Sequence, residues 1–231
     1  MLNIAKHRKI MFEILREIFQ SPAGNWLGFK GGTMLYFFHN LDRFSVDLDF
    51  DLLDETRKKD VFDQTEKILK KYGKIKDKTD KRFTLFFLLD YEKNKPNIKV
   101  EISKRKYPEN RYETRNFYGI DVKVLKIEDA FAHKLIAATE RKRFASRDFY
   151  DIYFLFSKNI SFNEEIIRSR TKKNGRAYLQ YLKKFIEKRI PERRLLEGIG
   201  ELLDEKRKNW ARNNLKKELL AQIGFAIRET R

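Results

Sequence analysis

Cysteine is absent from the sequence, and its 231 residues include only four prolines and ten glycines. The lack of cysteine excludes disulfide bridges and cysteine-based zinc sites, which fits an intracellular protein. No run approaches the ~20 uncharged apolar residues that a membrane span needs. Residues 1–19 carry charges throughout and lack the apolar core and small-residue cleavage site of a signal peptide. We therefore expect a cytoplasmic protein without a membrane segment.

Acidic residues are also in short supply. The chain has 34 Asp and Glu against 52 Lys and Arg, which gives a formal net charge of +18. Such an excess favours a polyanionic partner, above all nucleic acid, although a lysine-rich soluble surface would produce the same balance. Hydrophobic content of 41% and aromatic content of 14% exclude a disordered chain. The length is sufficient for a full core in one large domain or two small ones.

Residues 27–52 hold the pattern with the clearest chemical meaning. Gly31 and Gly32 precede Thr33, and an alternating acidic pair, Asp47 and Asp49, follows fourteen residues later. On a strand, side chains two residues apart point to the same face, so the two carboxylates would stand together. Carboxylates this close repel one another unless a cation lies between them. Mg²⁺ suits such a pair because it binds a few carboxylates and leaves positions for phosphate oxygens.

The glycine pair predicts a turn between a short strand at 26–29 and a helix at 33–39. Glycine lets backbone N–H groups approach a ligand closely, and the N-terminus of a helix favours anions. A triphosphate would bind there, with a hydrogen bond from the Thr33 hydroxyl. A tight strand-to-helix turn without a ligand is the alternative, and the carboxylates downstream favour the ligand.

Several motifs in order resemble the AbiEii-type nucleotidyltransferase toxin family, within the polymerase-β-like nucleotidyltransferases. They are Lys30-Gly-Gly-Thr33, Arg43-Phe-Ser45, Asp47-Leu-Asp-Phe50, the segment 129–137 around Lys134, and Arg147-Asp148-Phe-Tyr-Asp151. Together they cover roughly residues 25–156.

The resemblance implies an α+β fold. A nucleotidyltransferase catalytic domain at 1–125 would contain a mixed sheet with flanking helices, and a helical bundle at 126–231 would close the active-site cleft. It also implies roles for individual residues. Lys30, Gly31, Gly32, Thr33, Arg43 and Ser45 would bind the nucleotide, Asp47 and Asp49 would be catalytic metal ligands, and Lys134 and Asp148 would be catalytic.

For three of these residues the sequence leaves more than one role open. Arg43 would pair with Asp47 or Asp49 in the empty enzyme, or with phosphate when substrate is bound. Lys134 would neutralise charge on the triphosphate, or is a surface lysine with a buried stem. Asp148 would orient Lys134 or the acceptor hydroxyl, or complements a helix dipole.

Glu101 is our candidate for a third metal ligand. Residues 98–102 alternate strictly, so Glu101 faces away from the apolar side of the predicted strand. Polymerase-β-like enzymes commonly carry a third carboxylate on such a strand. Glu101 is otherwise an exposed glutamate, or a different register brings Asp90 or Glu92 to this place. Asp51 is a spare carboxylate on the Asp47 face.

The remaining pattern predicts further elements. Residues 104–116 indicate a basic loop suited to nucleic acid or an ordinary surface loop, and Ser146 is a predicted helix N-cap. Apolar positions at Tyr178, Tyr181, Leu182, Phe185 and Ile186 are typical of core. Helices are predicted at 3–19, 55–72, 127–138, 162–170, 175–189 and 191–229, and strands at 82–90, 98–102 and 119–124.

The resemblance implies a function. It predicts a Mg²⁺-dependent enzyme with a two-metal site that transfers NMP from an NTP to an RNA, the tRNA 3′ end. It would be the toxin of a bacterial toxin–antitoxin pair with a cognate antitoxin. Transfer to a protein acceptor is an alternative. So is a non-catalytic RNA- or antitoxin-binding module, against which the intact aspartate pair counts. The sequence identifies neither the NTP nor the acceptor nor the oligomeric state.

Overall fold

The structure is a computed structural model that describes residues 3–93, 95–141, 144–191 and 194–229. Its elements confirm an α+β fold. The helices are α1 Ile4–Gln20, α2 Gly31–His39, α3 Lys58–Leu69, α4 Ile127–Glu140, α5 Ser146–Ser157, α6 Glu164–Thr171, α7 Gly175–Arg189 and α8 Glu205–Glu229. The strands are β1 Leu27–Lys30, β2 Asp47–Leu52, β3 Lys74–Lys81, β4 Thr84–Asp90, β5 Ile98–Ser103, β6 Tyr112–Phe117 and β7 Ile120–Leu125. Among the described residues, no helix is both long and apolar enough to cross a membrane.

Two compact units make up the chain. The first runs to Asn40 and continues over Phe44–Leu125, and the second contains Leu41–Arg43 and the residues from Lys126 onward. The short segment Leu41–Arg43 therefore belongs to the second unit although it lies between α2 and β2 in the sequence.

A seven-stranded mixed sheet forms the first unit, with strand order β3-β4-β5-β2-β1-β7-β6. β2 is parallel to β5 and β1 is parallel to β7, while the other neighbours are antiparallel. The central strands bury one face because their apolar residues alternate with polar ones. α1 is amphipathic and covers apolar surface with Met11, Ile14, Leu15 and Ile18, all fully buried.

Helices α4 to α8 and the segment Leu41–Arg43 form the second unit. α7 packs on α8, and α5 packs on both α4 and α8. The buried side chains of α7 and α8 recur at three- and four-residue spacing, which is the pattern of helices packed along one stripe. They include Leu179, Leu182, Ile186, Leu215, Leu219 and Ile223.

Some predicted elements were wrong. The expected loop at 104–116 contains most of β6, which pairs with β7 at the edge of the sheet. β3 was not predicted, since its sequence KIKDKTDK is almost entirely charged and lies exposed at the opposite edge.

Further corrections fall in the second unit. The predicted helix at 191–229 is helical only from Glu205, after a short 3₁₀ turn at Gly200–Leu202, and residues 192 and 193 lie outside the described residues. Ser146 is not an N-cap: the cap is Ala145, and the Ser146 hydroxyl donates to the Arg194 carbonyl at 2.8 Å.

Candidate active site

The acidic pair lies on β2 as the alternation predicts. Leu48 and Phe50 are fully buried, whereas Asp47 and Asp49 are partly exposed on the other face of the strand. Both carboxylates thus stand on one side of the sheet, within reach of solvent.

Glu101 lies next to this pair. β2 and β5 are parallel, and the register sets Asp49 beside Glu101 and Asp47 beside Lys99. Neighbours in register share a face of the sheet, so Glu101 adds a third carboxylate to the acidic side. The Lys99 ammonium lies 3.3 Å from Asp47 Oδ2. We call Asp47, Asp49 and Glu101 the acidic face.

The other candidates for the third carboxylate are elsewhere. Asp90 pairs with Lys76 at 2.9 Å, and Glu92 pairs with Lys6 at 2.7 Å. On β4 the residue in register with Glu101 is Phe86. The observed register therefore favours Glu101, and its role as a metal ligand stays a prediction.

Gly31 brings the first turn of α2 against the acidic face. Its φ of +83° is a conformation that L side chains rarely adopt, and a Cβ here would lie 2.4 Å from Asp49 Oδ2. Gly31 is also the first residue of α2. The glycine thus permits close contact between a carboxylate and the positive end of a helix, where negative charge is stabilised.

Thr33 and Ser45 connect α2 to the start of β2. The Thr33 hydroxyl lies 2.9 Å from Ser45 Oγ and also makes a short contact with the Asp47 carbonyl. Both side chains are buried. They hold the backbone at Asp47 in place, and direct contact of either with a nucleotide stays a prediction.

Lys30 has a carboxylate partner of its own. Its ammonium lies 2.5 Å from Asp51 Oδ1, and the Tyr112 hydroxyl donates to Asp51 Oδ2 at 2.9 Å. Gly28 makes room for this arrangement, because a Cβ there would lie 2.2 Å from the Tyr112 ring. Asp51, the spare carboxylate of the sequence, therefore fixes Lys30, whose predicted contact with nucleotide remains open to test.

His7 is a residue that the sequence did not single out. Its Nε2 lies 3.0 Å from the Val46 carbonyl and its Nδ1 lies 2.8 Å from the Tyr91 hydroxyl. Burial lowers the pKa of His7, and this outweighs the bond to Val46 and the charge of Asp47, which raise it. The neutral ring donates from Nε2 and steadies the backbone just before Asp47. One histidine on an amphipathic helix carries no sequence signal for this role.

The predicted catalytic residues of the second unit lie in a buried ion network. Arg43 donates to both oxygens of Asp151, from Nε at 2.6 Å and from the terminal nitrogen at 2.7 Å. The Lys134 ammonium lies 2.7 Å from Asp151 Oδ2. Burial raises the pKa of Asp151, but the charges and hydrogen bonds of Arg43 and Lys134 lower it by more. The pKa of Asp151 is therefore below its ordinary value.

Asp148 completes this network. Its oxygens lie 3.6 Å from Lys134 Nζ and 2.6 Å from Arg141 Nε. The side chain is 1% exposed, and neither oxygen has a hydrogen bond of good geometry among the described residues. Charge rather than directed hydrogen bonding therefore holds it. We call Arg43, Asp151, Lys134 and Asp148 the buried network.

The buried network adds a carboxylate that the sequence did not offer as a partner. Arg43 pairs with Asp151. Lys134 pairs with both Asp148 and Asp151, and Asp151 is the closer of the two. A shared helix face for Asp148 and Asp151 was the available signal, since the two are three residues apart on α5.

The acidic face fits a hard divalent cation. Carboxylate oxygens are the preferred donors of Mg²⁺, which usually keeps positions for water and substrate phosphates. Within the described ranges, no three His, Asp or Glu side chains form a group that would hold a metal by themselves. The residues present therefore suit a cation that one or two carboxylates bind jointly with the phosphates of a substrate.

Comparisons with solved structures show the fold. A structure titled as a candidate nucleotidyltransferase from H. pylori is 20% identical, covers 98% of this chain and 95% of its own, and superposes with a TM-score of 0.64. JHP933 from Helicobacter pylori is also 20% identical, with coverage of 99% and 97% and a TM-score of 0.59. No curated protein matches the chain.

The family described as "Nucleotidyl transferase AbiEii toxin, Type IV TA system" matches residues 13–222. This range contains every motif on which the resemblance rested, and it extends well beyond them into the helical unit. The match confirms the predicted family, and a type IV toxin–antitoxin family implies an antitoxin partner. The chain belongs to the AbiEii nucleotidyl transferase toxin family.

Proposed function

We propose that this protein transfers an NMP group from an NTP to an RNA acceptor, the 3′ end of tRNA, as the toxin of a toxin–antitoxin pair. In this reaction an acceptor hydroxyl attacks the α-phosphorus of the NTP. A new P–O bond forms, the bond to the leaving oxygen breaks, and pyrophosphate departs. The observation that carries the proposal is the acidic face beside Gly31 at the start of α2.

The acidic face would hold the cation. Asp47 and Asp49, with Glu101, offer hard oxygen ligands on one side of the sheet. Mg²⁺ bound there, as one ion or two, supplies charge stabilisation for the entering and leaving oxygens of the transfer. Phosphate oxygens of the NTP would supply the remaining ligands, so the protein would need no closed set of its own.

The surrounding residues would position the triphosphate. The N-terminus of α2 presents backbone N–H groups that can bind phosphate. Gly31, the first residue of the helix, places no side chain over them. Lys30, held by Asp51, supplies a positive charge at the end of β1. Thr33 bonds to Ser45 and Asp47, and His7 bonds to Val46, so these two side chains keep the segment that enters β2 rigid.

Lys134 would offset negative charge on the reacting phosphates. It is 15% exposed, so its ammonium combines a route to solvent with a fixed carboxylate partner in Asp151. An ammonium held in one place before substrate arrives stabilises developing charge without reorganisation. Asp148 would then act through Lys134 or on the acceptor hydroxyl.

The RNA acceptor is supported by the net charge of +18. A polyanion that neutralises part of this charge gains affinity from the release of its counterions. The toxin role is supported by the family match over residues 13–222.

A transfer assay tests the proposal. Purified protein is incubated with Mg²⁺, each α-labelled NTP in turn, and a bulk tRNA preparation. Label is expected on the RNA, absent with EDTA and absent in the Asp47→Asn/Asp49→Asn variant. Asp63→Asn, on the exposed surface of α3, is the matched carboxylate control and should transfer normally. Label on protein alone would replace the RNA acceptor, and no label with any NTP would contradict the reaction.

A further inference from the structure

Positive charge is concentrated in one short part of the helical unit. Residues 168–189, from α6 through α7, contain nine Lys or Arg and one acidic residue, Glu187. They contribute +8 to the formal charge of +18 in fewer than a tenth of the residues. Between Glu165 and Glu187 the sequence has no acidic residue, so Glu187 is the one carboxylate that α7 offers to these cations.

The charge lies on a surface. Lys172, Lys173, Lys184 and Lys188 are all exposed. Lys184 and Lys188 are three and seven residues after Tyr181, so all three occupy one stripe of α7. α8 differs: its Arg207 and Lys208 pair with Asp204 and Glu205 nearby in the sequence, and its 25 residues carry seven basic and three acidic side chains.

An aromatic ring stands in the same stripe. The sequence grouped Tyr178, Tyr181 and Phe185 as core, but only Tyr178 is fully enclosed, while Tyr181 is 44% exposed. The Lys173 ammonium lies 5.9 Å from the centroid of the Tyr181 ring, and the centroid of the Phe185 ring lies 6.4 Å from it. Tyr181 is thus held at the surface by neighbours without being covered.

We propose that this stripe, Lys173, Tyr181, Lys184 and Lys188, is an RNA-docking surface, the α7 basic face, that binds the acceptor of the reaction proposed above. Lysine ammonium groups neutralise backbone phosphates, and an exposed tyrosine offers a plane on which an unpaired base stacks. An anionic membrane would use the lysines but gains little from one ring, because the apolar side of α7 is already buried against the protein. The combination of charge and ring therefore favours RNA.

RNA binding by the α7 basic face is tested by fluorescence anisotropy with end-labelled bulk tRNA as the probe. The face variant is Lys173→Glu/Lys184→Glu/Lys188→Glu. The matched control is Lys206→Glu/Arg212→Glu/Lys217→Glu, which reverses three exposed cations of α8 and gives the same net charge. We expect the face variant to bind tRNA at least about tenfold more weakly than the control variant. The slope of log Kd against log salt concentration should be smaller by about two to three in the face variant, about one unit for each lost phosphate contact.

The Tyr181→Ala variant distinguishes the contribution of the aromatic ring to tRNA binding from that of the lysine charges. Loss of a stacked base should weaken tRNA binding by about fivefold or more and leave the salt dependence unchanged. Circular dichroism and thermal unfolding of each variant show that the helices remain folded.

Equal loss in the face and control variants would overturn the inference, since net charge alone would then explain binding. Lysine-dependent binding to phosphatidylserine vesicles without tRNA binding would also overturn it in favour of a lipid surface. Mg²⁺-dependent NTP binding, measured on the same proteins, distinguishes the two proposals. Wild-type protein that binds NTP but no RNA contradicts this inference and leaves nucleotidyl transfer to a protein acceptor. Protein that binds tRNA through the α7 basic face but no NTP supports the docking surface and contradicts the enzyme.

Discussion

The acidic face and the buried network use the same types of residue for opposite purposes. On the acidic face, Asp47 and Asp49 are partly exposed, and the Lys99 ammonium lies 3.3 Å from Asp47 Oδ2. In the buried network, Asp151 is fully buried and lies within 2.7 Å of two cations. A partly exposed carboxylate can exchange a counter-ion such as Lys99 for a metal, because solvent screens the pair and lowers the cost of separating it. Buried and tightly paired charges cannot exchange without a large cost, so they fix geometry.

The largest effect on stability should come from the buried network. Asp151→Asn leaves the charges of Arg43 and Lys134 without their carboxylate, and removing one partner of a buried pair costs about 3 to 5 kcal/mol. The pKa of Asp151 is below its ordinary 3.8, so its stabilisation is present above that pH and is lost as pH falls through the lower folded pKa. Urea denaturation at neutral and acid pH measures both effects.

Glu197→Gln is the control for Asp151→Asn. Glu197 forms an exposed ion pair with Arg194 at 2.5 Å, and the stability of this variant should equal that of wild type. Equal stability of Asp151→Asn and wild type would mean that the network does not hold the helical unit together.

Gly31→Ala should damage the acidic face without touching a charge. A side chain at φ +83° costs about 1 to 2 kcal/mol, and its Cβ would collide with Asp49 Oδ2. We expect NTP binding to weaken by about tenfold or more because both α2 and Asp49 must shift. Isothermal titration measures it. Gly200→Ala, where the nearest atom is 3.8 Å from the added carbon, should bind NTP as wild type does.

Burial of His7 should make the free energy of unfolding depend on pH near and below pH 6.5. Since burial lowers its folded pKa below 6.5, the unfolded chain takes up a proton first as pH falls. Stability from this group is complete above pH 6.5 and declines below it, by at most about 1.4 kcal/mol per pH unit. His7→Gln should remove this slope from urea denaturation curves. A slope that persists in the variant would assign the effect to other groups.

The smallest predicted effect concerns Lys99. Its ammonium is a cation that competes for Asp47, so Lys99→Met should tighten the binding of Mn²⁺ alone by about fivefold, the size of a partly exposed ion pair. Electron paramagnetic resonance of free Mn²⁺ measures this. Lys78→Met, which removes the ammonium 2.8 Å from Glu66, is the control and should leave Mn²⁺ affinity unchanged. Weaker Mn²⁺ binding in Lys99→Met would instead make Lys99 a support of the site.

Much of the acidic face could be predicted from local sequence. The alternation of Asp47 and Asp49 with Leu48 and Phe50 fixes which side chains share a face. The glycine at position 31 predicts that the backbone comes close to another group, which the structure shows to be the Asp49 carboxylate. The register of β2 against β5 could not be read in the same way, because Glu101 is 52 residues from Asp49 and its neighbours are equally suited to a strand.

The buried network was less accessible to sequence. Arg43 lies four residues before Asp47, which suggested a partner nearby, yet it pairs with Asp151, 108 residues away. Which carboxylate an arginine meets depends on how helices pack, and no local pattern encodes that. The role of Tyr181 was misjudged for a related reason: its spacing on α7 places it at the edge of the buried stripe, where periodicity alone does not separate core from surface.

The most direct test of the account is Mn²⁺ binding in the presence of a non-hydrolysable NTP, compared among wild type, Asp49→Asn and Asp151→Asn by electron paramagnetic resonance. The account predicts that Asp49→Asn loses at least about a hundredfold in metal affinity while keeping its stability. Asp151→Asn, studied at a temperature where it is folded, should keep metal affinity within about threefold of wild type because it acts through Lys134. Undiminished metal binding in Asp49→Asn would contradict the proposal that the acidic face holds the metal of the reaction.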